Sequence, residues 1–413
     1  MMTQNQLQEV IAQAVRSVPV VDAHTHLFTP AFPGLLLRGI DDLLTYHYLV
    51  AETLRYHPEK TEEFWRLSVQ KQADLVWQTL FIERSPVSEA CRGVLTVLRA
   101  YGLDLGCRDL TAYRRFFAGL DPEAQVDIVF KEANLKYVVM TNDPFEPVEK
   151  VYWQQGVGVD PRFRAALRLD PLLNRWPETA GSLEAEGYEV QADLSGQTSA
   201  EVRRFLNDWA KRMNPLYLAV SLPPDFIYPD PAPRGRLLKE VILPFCQEHG
   251  KPLALMIGVK KLVNPSLRLA GDSVGKALIN TVESLCVENP EVKFFLTMLA
   301  RENQHELVVA ARKFGNLMPF GCWWFLNNPS LIREITRMRL ELLGLSFVPQ
   351  HSDARVLDQL IYKWSHSKQL IIEVLTEAYT ALAETGWKLS AAGIKQDVER
   401  LFFRNFEEFM GIE

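Results

Sequence analysis

The sequence predicts an α/β fold, a (β/α)8 barrel with a helical insertion after the first strand and a helical C-terminal segment. Three observations predict it. Eight short apolar runs rich in β-branched residues recur along the chain. From the second run onward, segments with helical spacing separate them, the pattern of a parallel sheet with crossover helices. No Gly-rich dinucleotide loop follows any run, which favours a closed barrel over an open doubly wound sheet.

The runs are Pro19–Phe28, Tyr137–Asn142, Phe163–Leu169, Tyr217–Leu222, Pro252–Val259, Lys293–Leu299, Leu317–Phe325 and Leu345–Gln350. Between them, Ser199–Met213, Arg236–His249, Ala277–Glu288, Gln304–Lys313 and Pro329–Leu343 read as helices. About a hundred residues lie between the first two runs. They look mainly helical, with Thr61–Leu80 and Pro86–Tyr101 as the clearest stretches, and read as an insertion at about 35–135 whose first part passes over the barrel mouth. Residues from Val356 onward read as helices on the outside of the barrel. A length of 413 residues suits two or three average domains. One elaborated barrel also accommodates it, so residues 1–413 are expected to form a single domain.

Composition narrows the function. A net charge of -6 without like-charge runs gives no basic surface for nucleic acid or membrane. No apolar stretch is long enough to span a bilayer, and the polar start does not read as a signal peptide. Five scattered cysteines without a C-x-x-C pair argue against a disulfide framework or a cysteine zinc site. A reducing, cytoplasmic setting is expected, and large barrels of this kind often form homo-oligomers.

Barrel enzymes carry their chemistry at the C-terminal strand ends. The first run holds Asp22-Ala23-His24-Thr25-His26, the third carries Arg168 and Asp170, the seventh holds Trp323-Trp324-Phe325, and the eighth runs into His351-Ser352-Asp353-Ala354-Arg355. His24 and His26 are two apart on a strand and share a side. If that side is the interior, two imidazoles converge, and Asp353 beside strand one would complete a zinc-like donor set. Satisfied, partly buried histidines are the plainer alternative.

His24-x-His26 on strand one with Asp353 after strand eight resembles the amidohydrolase superfamily. His47-Tyr48, Trp323-Trp324-Phe325 and Asp353-x-Arg355, in this order over almost the whole chain, resemble uronate isomerase. Departures are also present. Strand four lacks the lysine of the superfamily's hydrolases, strands five and six lack their histidines, Leu49-Val50-Ala51 is unusually apolar, and His351-Ser352 precedes the aspartate. The missing histidines argue against a two-metal hydrolase.

The resemblance implies an aldose–ketose isomerase of hexuronates (D-glucuronate/D-fructuronate, D-galacturonate/D-tagaturonate), with one divalent metal, zinc by default, on His24, His26 and Asp353. It further implies Asp353 as base, Tyr48 as proton shuttle, Arg355 as stabiliser of the enediolate and His47 as a hydrogen-bonding group to the sugar. Arg168 would meet the substrate carboxylate, or else pair with Asp170 or Asp143. Trp323 and Trp324 alternate on a strand, so at most one of them lines the pocket. His47 could instead be a surface histidine, Tyr48 a core aromatic and Arg355 a solvated helix start. The rivals are a mononuclear hydrolase or decarboxylase acting on a sugar acid or lactone, and a non-catalytic sugar-acid binding protein.

Overall fold

The computed structural model describes residues 3–412. Among them the strands are β1 (Val20–Thr25), β2 (Leu135–Asn142), β3 (Phe163–Arg168), β4 (Leu218–Leu222), β5 (Leu253–Ile257), β6 (Val259–Lys260), β7 (Ser273–Val274), β8 (Phe294–Met298) and β9 (Leu317–Pro319). All except β6 and β7 join one parallel sheet in the order β1-β2-β3-β4-β5-β8-β9. The strands β6 and β7 form a short antiparallel hairpin beyond the end of β5. The expected (β/α)8 barrel is present, and its eighth position is irregular.

The run Leu345–Gln350, expected as strand eight, makes a single parallel bridge, Val348 to Phe320. Its residues nevertheless close the sheet. Val348 N–H donates to Pro319 O (3.1 Å) and Gly321 N–H donates to Val348 O (2.9 Å). On the β1 side, Asp353 N–H donates to His24 O (3.2 Å) and His26 N–H donates to Ala354 O (2.8 Å). Pro349 has no N–H to extend the ladder, and Asp353 sits at φ +54, outside strand geometry. The seventh run is shortened for a similar reason. Pro319 ends β9 and Gly321 turns the chain at φ +62, so Trp323 and Trp324 lie in the following loop and not on a strand.

The helix expectations hold where the spacing is longest, as at Thr198–Met213 and Pro329–Leu343. Thr61–Leu80 divides instead into Thr61–Phe64 and Val69–Trp77. Ser68 restarts the helix by accepting a hydrogen bond from Lys71 N–H. The insertion does reach the mouth, because helix His47–Tyr56 packs on the 265–271 turn of the β6–β7 hairpin and Trp65 Nε1 donates to Ser266 O (2.7 Å).

The C-terminal part does more than cover the outside. Helix Gln359–Glu384 packs against Gln4–Ser17, Glu89–Ala100, Pro122–Ala133 and Pro329–Leu343. The last helix, Asn405–Met410, turns Phe406, Phe409 and Met410 into the apolar cluster of the barrel interior, with Val21, Tyr137, Tyr217 and Phe295. Each such aromatic removed from water contributes about 2–3 kcal/mol. The barrel floor is therefore filled by apolar side chains, which leaves the opposite end for chemistry.

Candidate active site

A bulge on β1 aims the two histidines. Val21 and Ala23 face the interior cluster, so strict alternation would send His24 outward. The register with β2 passes from Asp22↔Val138 to Thr25↔Met140, three residues against two. The extra residue shifts the phase, and His24 and His26 both reach the interior above the filled floor. Asp22, one residue before the irregularity, points outward and anchors the closure, accepting from Ser352 N–H (3.0 Å) and Trp364 Nε1 (2.8 Å).

Each imidazole is oriented by its other nitrogen. The Thr141 hydroxyl donates to Thr25 O (2.9 Å), so its oxygen is left to accept from His26 Nδ1–H at 2.9 Å. The Tyr217 hydroxyl donates to Ala23 O (2.7 Å) and is left to accept from His24 Nδ1–H at 3.4 Å. Both Nε2 atoms then carry lone pairs toward Asp353, with Oδ1 at 3.8 Å from His24 Nε2 and 3.3 Å from His26 Nε2. His24 Nε2 and Asp353 Oδ1 are buried without a hydrogen-bond partner.

The electrostatics keep both rings neutral. Burial first, then the neighbouring His26 and His351, drive the His24 pKa far below the ordinary range. For His26 the causes are burial, then Arg355 and Arg168. Neutral imidazoles held by their Nδ1–H and a bare carboxylate oxygen, all within 4.8 Å of one another, make a donor set for a divalent metal ion.

The residues expected around this centre divide. Tyr46 caps helix His47–Tyr56, whose first turn delivers His47 and Tyr48. Both His47 ring nitrogens are buried without partners, and the ring lies edge-on to Trp324 at 5.4 Å between centroids. Burial, then Arg355, keeps His47 neutral. Burial, then Tyr46 and Asp353, keeps Tyr48 a protonated phenol. Arg355 Nε is also buried and unpartnered.

Arg168 takes its plainer alternative in part. Its Nη2 and Nε donate to Asp170 at 3.0 and 3.4 Å. Burial opposes its charge, but Asp170 and Asp143 outweigh that and raise its pKa. It still lines a cavity of about 480 Å³ with Asp143, Asp170, Ser221, Arg234 and Lys261. Trp324 adopts φ +46 and stands beside His47, and both Trp323 and Trp324 are buried in the interior cluster. Both tryptophans lie in a loop after β9, so the strand alternation expected to separate them does not apply.

No protein-family model and no curated protein matches the chain. Among solved structures, a uronate isomerase from Bacillus halodurans C-125 matches with 55% identity and a TM-score of 0.98, covering 100% of this chain and 98% of that one. The chain belongs to the uronate isomerase family. Two other structures share the fold at 14% identity. One is a uronate isomerase from Thermotoga maritima (TM-score 0.78, 99% of each chain), the other a glucuronate isomerase from Caulobacter crescentus (TM-score 0.70, 99% and 94%).

For this uronate isomerase family member, sequence reasoning missed the residues that orient the imidazoles. Thr141 was recoverable, since Tyr137, Val139 and Thr141 share the inward face of β2. Tyr217 gives no such signal, because a tyrosine at the start of a strand reads as ordinary core. His351 is fully buried with both ring nitrogens unpartnered, and burial, partly offset by Asp353, lowers its pKa to about 4. Its ring lies 5.4 Å from that of His24.

Proposed function

We propose that the chain interconverts hexuronates and their ketose acids, D-glucuronate with D-fructuronate and D-galacturonate with D-tagaturonate, by proton transfer from C2 to C1 through an enediol. One joint observation carries the reading. In a chain 55% identical to a uronate isomerase, the His24–His26–Asp353 donor set shares the barrel mouth with a buried phenol, Tyr48, and an unpartnered imidazole, His47.

His24, His26 and Asp353 would hold one divalent ion, zinc by the preference of two imidazoles and a carboxylate. When bound, that ion supplies positive charge that anchors and polarises substrate oxygens. Asp353 takes the proton from C2 and returns it to C1. Tyr48, a phenol at neutral pH, gives its proton to O1 as the aldehyde becomes a hydroxyl, and recovers one from O2 as C2 becomes the ketone. Arg355 faces the negative charge that builds on these oxygens with a guanidinium that stays charged. His47 hydrogen-bonds a sugar hydroxyl through its free ring nitrogens. Arg168 keeps Nη1 for the substrate, since Asp170 occupies Nε and Nη2. Trp324 closes one side of the pocket.

A mononuclear hydrolase or decarboxylase is the second reading, and the family match weighs against it. The further elements are proposals of the same standing. Residues 1–413 form one domain, supported by a continuous apolar core that joins the insertion to the outer barrel layer. The chain assembles as a homo-oligomer in a reducing cytoplasm, the compartment being supported by five unpaired cysteines, four of them buried. No helix among the described residues is long and apolar enough to cross a membrane.

Proton NMR of the zinc-loaded protein with glucuronate, then galacturonate, in deuterated water tests the reading. Growth of the ketose signals is the expected result. Absence of ketose from both sugars in a metal-replete sample overturns it.

A further inference from the structure

The cavity at the barrel mouth contains a cation that the proposed chemistry leaves unused. Lys261 follows β6 on the hairpin beyond β5, at the edge of the cavity that Arg168, Asp143 and Asp170 also line. Its ammonium is 2.7 Å from Asp272 Oδ2 and 5.9 Å from the Trp324 ring. Asp272 is a fixed anchor, with its side chain 1% exposed and its other oxygen accepting from Leu262 N–H at 2.8 Å. The Lys261 side chain itself remains 66% exposed, so the ammonium has N–H groups left for a ligand.

The charges of the cavity decide what that ligand is. Arg168 is held by Asp170 and balanced further by Asp143, so on its own it offers little net attraction to an anion. Asp272 divides its negative charge between a backbone N–H and Lys261, and it faces away from open solvent. Geometry links Lys261 to His47 at the sugar-binding end of the mouth. Trp324 bridges the two, with its ring against His47 on one side and beneath Lys261 on the other.

We propose that Lys261 is a further substrate-binding residue, whose ammonium takes the carboxylate of the sugar acid while Asp272 holds it over the mouth. This rests on the isomerase reading and deepens it. The substrate carboxylate is met by a compact point charge from the hairpin as well as by the planar, already paired Arg168. The hairpin is tied to the insertion through Trp65 and Ser266, which steadies the lysine relative to Tyr48 and His47.

The test compares wild type, Lys261→Met and Lys261→Arg in the zinc-loaded enzyme. KM and kcat for glucuronate are measured together with zinc content and the binding of glucarate, a non-isomerisable sugar diacid, by calorimetry. Lys261→Met should raise KM and the glucarate Kd about tenfold, as for loss of one charge-assisted contact, with kcat within about twofold and zinc unchanged. Lys261→Arg should restore both within about threefold. If Lys261 only ties the hairpin down, Lys261→Met lowers the melting temperature and leaves KM and Kd unchanged, which overturns the proposal. A fall in kcat at constant KM overturns it too. Wild type that turns over neither uronate refutes the isomerase reading instead, a result that these variants cannot mimic.

Discussion

The two halves of the candidate metal centre are built by opposite means. On the β1 side, His24 lies in a paired strand whose register with β2 shifts at Val20/Val21 and again between Asp22 and Thr25, His26 follows its last residue, and Thr141 of β2 and Tyr217 just before β4 orient both rings. Across the seam, Asp353 belongs to a segment with hardly any strand pairing, where Trp324 and Asp353 both take positive φ and Gly321 turns against the His351 ring. One side is placed by periodicity, the other by left-handed backbone and side-chain-to-backbone hydrogen bonds. Positions 351, 353 and 355 would share one side of a regular strand as well; what the irregular backbone adds is the pair of hydrogen bonds that hold Asp353 and Ala354 against β1, at a conformational cost of order 1 kcal/mol for each left-handed residue.

That contrast can be broken most severely at Asp353. Asparagine tolerates left-handed φ, so Asp353→Asn should leave the fold intact while removing the charge. Turnover should fall by about 10³-fold, with zinc retention impaired, measured by steady-state kinetics and metal analysis. Tyr48→Phe should lower kcat about 100-fold with zinc content unchanged, since the phenol is no metal ligand. On the irregular side, Gly321→Ala would put a Cβ 1.7 Å from His351 Nδ1 at φ +62. A loss of about 2 kcal/mol in denaturant unfolding is expected. On the regular side, Thr141→Val removes the acceptor for His26 Nδ1–H together with the donor to Thr25 O, and zinc affinity should weaken about tenfold in competition with a chelator.

The last effect is one of pH. His351 has a pKa of about 4 in the fold against an ordinary 6.5, and His24 and His26 shift in the same direction. At His351 the unfolded chain therefore binds more protons than the folded one between these values, so its contribution to stability falls as pH drops from 6.5 toward 4, while Asp22 and Glu149, raised by burial to about 6 and about 7, act in the opposite sense. The His351 part should be roughly 1 kcal/mol per pH unit in that window, read as the difference in unfolding between metal-free wild type and His351→Gln at a series of pH values.

The same contrast explains what could be read in the sequence. The first six strands were legible because their apolar runs are long and bounded by turns, and His24-x-His26 was legible as a pair because two residues apart on a strand means one side. The bulge that turns that side inward leaves no mark in residues 22–25. The eighth strand misread for the opposite reason. Ser346-Phe347-Val348 carries a strand's apolar pattern, but Pro349 interrupts the ladder and tertiary hydrogen bonds to β1 and the seventh position take over. Asp353 and Arg355 were found through the spacing of a family pattern, whereas Thr141 and Tyr217 act through one hydrogen bond each to a ligand, and such contacts exist only once strands are adjacent.

The most direct test of the central claim, a single-metal isomerase site on His24, His26 and Asp353, is zinc titration of chelator-stripped protein with glucuronate turnover as the readout. The account predicts no turnover without metal and a linear rise that breaks at one zinc per chain. Turnover that survives complete stripping, or that breaks only at two ions per chain, would contradict it.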